Sequence, residues 1–281
     1  MSEFFCREDE TIEDLQLNGL RLIQKKQGFR FGMDTVLLAD FARIRPTDTV
    51  ADFGTGTGIL PFLLHGRKKG AYYYAIERLP EMAEMAGRSI RLNHLQDRIQ
   101  LICEDVRTLS GQIPERSLDA VICNPPYGLP GHTLHNPDLL RNAARHQEEN
   151  TLDAFICQAR NLLKGKGKLI LVYPAAQMLQ LMTRLQKFRI EPKRFRLVYP
   201  FMDHPANLVL VEAVKDAKPL LHPMPPLILY EADGRLTKEL RSVYHMAEQT
   251  KVCHSETLPH PPGIIKPSGG DIPGLHKEEK P

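Results

Sequence analysis

One short stretch narrows the fold of this chain more than any other. The apolar run Val50-Ala51-Asp52-Phe53 passes without a break into Gly54-Thr55-Gly56-Thr57-Gly58, and a helix-like apolar segment follows. Glycines in such a place let the backbone turn sharply and approach a ligand with no Cβ in the way. Strand, glycine turn and helix in that order open a βαβ crossover.

The pattern continues along the chain. Strand candidates fall at about 49–53, 71–76, 99–103, 118–123 and 168–173, and helix candidates at about 58–65, 80–93, 151–163 and 175–187. Their alternation implies a parallel sheet with right-handed crossovers. The end differs, because Phe195–Tyr199 and Leu208–Ala213 are separated by Pro200 to Asn207 with no helical segment between them. They read as an antiparallel pair closing the sheet. The predicted fold class is α/β, Rossmann-like, with a mostly parallel seven-stranded sheet ending in an antiparallel hairpin. Ahead of it, 17–32 reads as a β-hairpin, with Gly19-Leu20-Arg21-Leu22-Ile23 and Gly28-Phe29-Arg30-Phe31 around a polar turn at Gln24–Gln27. A short helix follows from Asp34 to Phe41, with Asp34 as its expected N-cap. The expected division is an N-terminal extension over 1–45, a catalytic domain over 46–250 and a flexible Pro/Gly-rich tail over 251–281. The tail buries too little apolar surface to offset its ordering entropy.

Charge excludes one class of partner-binding protein. Thirty-seven basic against 34 acidic residues leave a net +3, so nucleic-acid contact has to come from a local patch rather than from the whole surface. The five cysteines (Cys6, Cys103, Cys123, Cys157 and Cys253) are scattered, with no C-x-x-C, and support neither a disulfide framework nor a metal site. Cys103 and Cys123 are expected as buried core residues. No apolar run approaches the roughly 18 residues of a membrane helix, and the acidic N-terminus lacks a signal-peptide core. A soluble cytoplasmic protein with no metal and no obligate protein partner is expected.

The glycine spacing defines the ligand class. Gly54, Gly56 and Gly58 form G-x-G-x-G, and Ile59 stands where a dinucleotide site has its third glycine. No Lys-Ser/Thr follows, so this is not a P-loop. S-adenosyl-L-methionine has no phosphate, and its amino-acid end can be met by backbone carbonyls and a carboxylate such as Asp52. Glu77, at the end of the next strand, can accept from ribose hydroxyls. In Glu104-Asp105-Val106, after the third strand, Asp105 is placed to accept from an adenine amino group.

After the fourth strand comes Asn124-Pro125-Pro126-Tyr127. An exocyclic adenine amine is a poor nucleophile because its lone pair is delocalised into the ring. Two acceptors that hold both amine protons favour a more tetrahedral nitrogen, and the Asn124 side-chain oxygen and the Pro125 carbonyl can serve. Prolines fix the backbone that carries them. Tyr127 offers a flat face to a base taken out of its helix. Positioning and electrostatics would do most of the catalysis.

At these residues the chain resembles the class I adenine-N6 methyltransferases, and more closely the bacterial tRNA1(Val) adenine-37-N6-methyltransferase family. The likeness spans about 15–245. Its motifs are Asn18-Gly19-Leu20, Gly28-Phe29-Arg30-Phe31-Gly32-Met33-Asp34 running on to Phe41, Asp52 to Gly58, Asn124 to Tyr127, Ala144-Arg145-His146 and His204-Pro205-Ala206-Asn207. Met33 and Gln147 depart from the family pattern. The resemblance implies that Phe31, Gly32 and Asp34 lie over the methionine end of the cofactor. It also implies that Asp52, Gly54, Gly56, Gly58, Glu77, Asp105, Val106 and Asn124 line its pocket, and that Asn124 and Tyr127 act on the base.

A tRNA substrate requires cations beside the site. Arg141, Arg145 and His146 follow the Asn-Pro-Pro-Tyr segment, and Arg184, Lys187, Arg189, Lys193, Arg194 and Arg196 crowd a second window opposed only by Glu191. Both are candidates for phosphate contact, with Arg184 and Lys187 foremost in the second; its alternative is a solvated helix face. Rival readings are a protein-glutamine methyltransferase, a DNA adenine methyltransferase and a non-catalytic RNA-binding scaffold. The first usually carries an N-terminal helical domain, the second a target-recognition domain, and the third has no use for an intact Asn-Pro-Pro-Tyr.

Overall fold

The computed structural model describes residues 6–27, 32–109, 111–125 and 152–244. Strands β1 (Glu10–Asp14) and β2 (Arg21–Lys25) pair antiparallel, and α1 (Met33–Phe41) follows. The alternating unit is β3 (Thr49–Phe53), α2 (Ile59–Gly66), β4 (Tyr72–Ile76), α3 (Pro80–Leu92), β5 (Ile99–Ile102) and β6 (Leu118–Cys123). Helix α4 covers 152–162. Then come β7 (Leu163–Pro174), a 3-10 turn (Ala175–Gln177), α5 (Met178–Lys187), β8 (Ile190–Tyr199) and β9 (Leu208–Lys215). The short β10 (His222–Pro223) and β11 (Leu227–Ile228) both run parallel along β8, and α6 (Lys238–Val243) ends the described chain.

The main strands stand in the order β8-β9-β7-β6-β3-β4-β5, all parallel except β9, which is antiparallel to both of its neighbours. The expected antiparallel pair therefore forms, and β9 threads between β7 and β8. Burial explains the placement. Val209, Leu210, Val211 and Ala213 of β9 are all buried and need cover on two faces, whereas β8 carries Glu191, Lys193, Arg194 and Arg196 and has only the short β10 and β11 on its outer side. Alternate residues of the central strands feed two layers. Val50, Ile122, Ile170 and Val172 pack with α1, α2 and α6, while Phe53, Val121, Cys123 and Leu171 pack with α4 and α5. Each fully buried Leu, Ile or Phe contributes roughly 1.5–3 kcal/mol, which is why these runs carry almost no polar residue.

Three expectations are corrected. The hairpin pairs β2 with the acidic β1, in the register Ile12 opposite Ile23, and Gln24 and Lys25 are strand residues rather than turn; the expected second strand at 28–31 lies outside the described residues. A salt bridge explains why so acidic a strand is ordered. Arg88 of α3 donates to both Glu10 carboxylate oxygens at 2.5 and 2.7 Å, and the Glu10 side chain is fully buried. The outer edge of β2 is met by side chains of α3, with Ile23 N donating to Ser89 Oγ and Arg21 N to Asn93 Oδ1. Second, the N-cap of α1 is Gly32, and Asp34 lies in the first turn. Third, Cys123 is buried but Cys103 is exposed, because it follows the end of β5 instead of extending it.

Candidate active site

The sheet changes direction at β3: the chain winds outward through β4 and β5, then returns to β6 on the other side of β3. Ligands of such sheets sit beyond the carboxyl ends of the strands at this switch point. Phe53 is level with Ile76 of β4 and Cys123 of β6. The glycine loop, Glu77 and Asn124 therefore leave adjacent strands at one height.

The loop is held by its neighbours. Gly54 N and Thr55 N both donate to Ile76 O, at 2.9 and 2.8 Å. Gly56 N donates to Glu77 Oε2 at 2.8 Å, and Leu79 N to Glu77 Oε1 at 2.9 Å. Gly54, Gly56 and Gly58 have φ of 74°, 58° and 89°, the left-handed region that disfavours side chains. Gly58 is doubly constrained, since a Cβ there would lie 3.3 Å from Phe62 of α2. Phe155 of α4 stands edge-on to Phe53 at 5.9 Å beneath the loop.

Polar atoms are left over here. Both Asp52 carboxylate oxygens and the hydroxyls of Thr55 and Thr57 are buried with no hydrogen-bond partner. An unpaired buried carboxylate is costly, and burial pushes the Asp52 pKa up to about 7; the nearby Thr55 draws it down and the charge of Glu77 raises it further. Asp105 is committed to Arg107, which approaches its two oxygens with Nε and Nη2 at 2.6–3.0 Å and holds its pKa below the ordinary value. Val106 is buried in the core. Asn124 faces α1, where its Nδ2 donates to Asp34 Oδ2 at 2.9 Å and to Thr35 Oγ1 at 3.2 Å.

The structure thus gathers Gly32, Asp34, Asp52, the three glycines, Glu77, Asn124 and Pro125 about one strand edge. Phe31, Pro126, Tyr127, Arg141, Arg145 and His146 lie outside the described residues. Within the second basic window Arg184, Arg194 and Arg196 are tied into the fold, whereas Lys187 and Arg189 keep most of their side-chain surface exposed. Arg184 and Lys187 both reach Asp153, at 2.6 and 3.5 Å. Arg194 is buried against Glu212 and the ring of Phe41, and Arg196 binds Pro225 O and Glu239. A hollow of about 560 Å³ beside α1 has Lys69, Lys168 and Arg194 in its wall. These cations donate to the carbonyls of Ala39, Asp40, Arg43 and Phe41, so they hold the end of α1 to the sheet.

Thr35, Thr55 and Thr57 join the site beyond the residues expected from the sequence. The alternation of threonine with glycine in the loop was the available signal for the last two.

A model of the methyltransferase small domain matches residues 31–190. The tRNA1(Val) (adenine(37)-N6)-methyltransferase of Tolumonas auensis is 32% identical over 225 residues, covering 77% of this chain and 88% of that one. The chain belongs to this methyltransferase family. The protein of the same name from Parabacteroides distasonis is 30% identical over 198 residues, covering 69% of this chain and 81% of its own. Among solved structures, protein Atu636 of Agrobacterium tumefaciens, a predicted O-methyltransferase, superposes with a TM-score of 0.61 at 25% identity over 76% of this chain and 96% of that one. TYW2 of M. jannaschii, solved with AdoMet, shares the fold at a TM-score of 0.52 and 18% identity, covering 74% of this chain and 86% of its own.

As a member, the protein is an S-adenosylmethionine-dependent methyltransferase, and its loop suits that cofactor. The unpartnered Asp52 carboxylate and threonine hydroxyls match an ammonium and a carboxylate at the amino-acid end, and Glu77 matches vicinal hydroxyls. No phosphate-binding cation stands in the loop. Among the described residues no helix is long and apolar enough to cross a membrane.

Proposed function

We propose that the protein methylates N6 of an adenine in tRNA, adenine 37 of a tRNA1(Val)-type molecule, in the cytoplasm. The observation that carries this reading is the placement of Asn124 and Pro125 at the carboxyl end of β6, level with the glycine loop through the pairing of Phe53 with Cys123. The names of the relatives support the same substrate.

S-adenosylmethionine bound at the loop supplies an electrophilic methyl group on a sulfonium, which leaves as a neutral thioether with the C–S electron pair. The chain's own residues prepare the nucleophile. The Asn124 side-chain oxygen and the Pro125 carbonyl each accept a hydrogen bond from one N6–H, which localises the nitrogen lone pair for the new N–C bond. The surplus proton on the methylated nitrogen leaves along one of these hydrogen bonds to water. Such preorganised acceptors act by orientation and electrostatics, and Tyr127 provides the stacking surface. Arg141, Arg145 and His146 are the phosphate contacts in this reading.

The test is transfer of labelled methyl from S-adenosylmethionine to small RNA taken from a strain lacking the gene, followed by nucleoside analysis and mapping. N6-methyladenosine at position 37 of one tRNA supports the proposal. Labelling of a protein glutamine with no label in RNA overturns it.

A further inference from the structure

We propose that Asp34 and Thr35, on the first turn of α1, are positioning residues that fix which end of the Asn124 carboxamide faces the target amine. A carboxamide can rotate end for end at little cost in shape, and its two ends have opposite chemistry. With oxygen presented, it accepts a hydrogen bond from the substrate amine. With nitrogen presented, it sets donor against donor and the site fails. Something must therefore choose.

The geometry makes that choice. A carboxylate offers acceptors, so the end of Asn124 that meets Asp34 Oδ2 at 2.9 Å is the nitrogen. Thr35 enforces the same choice. Its hydroxyl donates to Asp34 Oδ1 at 3.3 Å, which leaves its lone pairs to accept from Asn124 Nδ2 at 3.2 Å. Thr35 N also donates to Asp34 Oδ1, at 2.8 Å, which fixes the carboxylate that does the sorting. The threonine is buried, with 5% of its surface exposed. Gly32 completes the arrangement, for a Cβ there would lie 2.7 Å from Asp34 Oδ1. Asp34 and Asn124 are 90 positions apart in the chain, so the contact also couples the N-terminal extension to the catalytic strand.

This assignment rests on the proposed role of Asn124 and departs from a purely cofactor-facing role for Asp34. The discriminating variant is Asp34→Asn. If its amide oxygen keeps the Thr35 bonds, its nitrogen falls where Asp34 Oδ2 was and repels the Asn124 nitrogen. Single-turnover methyl transfer at saturating S-adenosylmethionine is expected to fall about ten- to a hundredfold, the loss of a charge-assisted hydrogen bond expressed as rate. The dissociation constant for S-adenosylmethionine should stay within about threefold. Thr35→Val should lose rate in the same way, and Thr35→Ser, which keeps the hydroxyl, should recover most of it.

A substrate-independent readout separates this proposal from the choice of RNA. The side-chain NH₂ resonances of Asn124, assigned by their loss in Asn124→Ala, should be exchange-protected in the wild type and in Thr35→Ser. They should lose that protection in Asp34→Asn and Thr35→Val. If the wild type labels no RNA but this pattern holds, the substrate is wrong and the positioning stands. Unchanged resonances in Asp34→Asn, or a raised cofactor dissociation constant with an unchanged saturating rate, overturn the positioning role.

Discussion

Asp52, near the end of β3, and Glu77, just past the end of the neighbouring parallel β4, lie beside the glycine loop, and the charge of Glu77 adds to burial in making Asp52 hard to ionise. Asp52 has an ordinary value of 3.8 and rises to about 7. The native state then holds a proton that the unfolded chain has lost across this interval. Asp52's contribution to stability is thus full below the lower value and is lost as pH rises through about 7.

Binding of a cofactor ammonium would require the ionised form, so it should release a proton. Affinity for S-adenosylmethionine is expected to strengthen by up to about tenfold per pH unit on the way up to 7 and then level off. Asp52→Asn should flatten the profile and weaken binding. Calorimetry in buffers of different ionisation enthalpy measures the released proton directly; a dissociation constant that ignores pH would mean that Asp52 is already charged in the free protein.

Glu77 is a structural acceptor as well as a candidate cofactor ligand, because it closes the Gly56 and Leu79 amides. Glu77→Ala should cost about 1–3 kcal/mol of stability from the two abandoned donors and weaken cofactor binding about ten- to a hundredfold. Thermal unfolding and titration calorimetry on one preparation separate the two effects. Binding at wild-type strength would remove Glu77 from the cofactor site.

Asn124→Ala takes away the side-chain acceptor and leaves the glycine loop in place. Cofactor affinity should stay within a few-fold, while turnover falls by at least about two orders of magnitude, on the scale of removing one preorganised polar group from a site. Full activity would contradict the role given to the side chain.

The dock between β1 and α3 makes the extension sensitive to acid. Arg88 holds the Glu10 carboxyl below its ordinary value of 4.5 by hydrogen bonding, against the opposing effect of burial. The stabilisation is fully present above that value and is lost as pH falls through the lower folded value. Glu10→Ala removes one of the two carboxylates that meet Arg88, with Glu84 still bonded to it at 2.8 and 2.9 Å, and should cost about 1–3 kcal/mol, lowering the melting temperature by about 2–12 °C. A melting temperature unchanged at neutral pH would show that the hairpin contributes nothing to global stability.

RNA contact can be apportioned between the two basic segments. Arg184→Ala should leave RNA affinity within about twofold, because its charge is already met by Asp153. Arg145→Ala should weaken binding and reduce the slope of log K against log salt by about 0.7–0.9, the loss of one phosphate contact. Filter binding over a salt series decides it, and the opposite ranking would return the second window to the RNA interface.

The alternating core was legible because parallel strands buried on two faces must be short apolar runs. Val50–Phe53 and Leu118–Cys123 announce themselves, and the residues that follow each run form the candidate site. Other parts were hidden for a common reason. Glu-Thr-Ile-Glu-Asp does not look like a strand until Arg88 is brought against Glu10. Arg184, Arg194 and Arg196 look like free cations until Asp153, Glu212 and Glu239 are placed beside them. The tie between Asp34 and Asn124 has no local signature at all. In each case the partner is far away in sequence, and local composition carries no record of it.

The position of β9 has a consequence for synthesis. β8 is made before β9 but has no direct pairing with β7, so it cannot dock on the growing sheet when it emerges. The apolar edge of β7 from Leu169 to Tyr173 must wait for the last main strand to arrive and fill the gap. The nascent chain therefore carries an open, sticky edge until residue 215 has left the ribosome, and closing it is a late, non-local step. Slow translation or truncation before that point would expose the newborn protein to misassociation and to capture by chaperones.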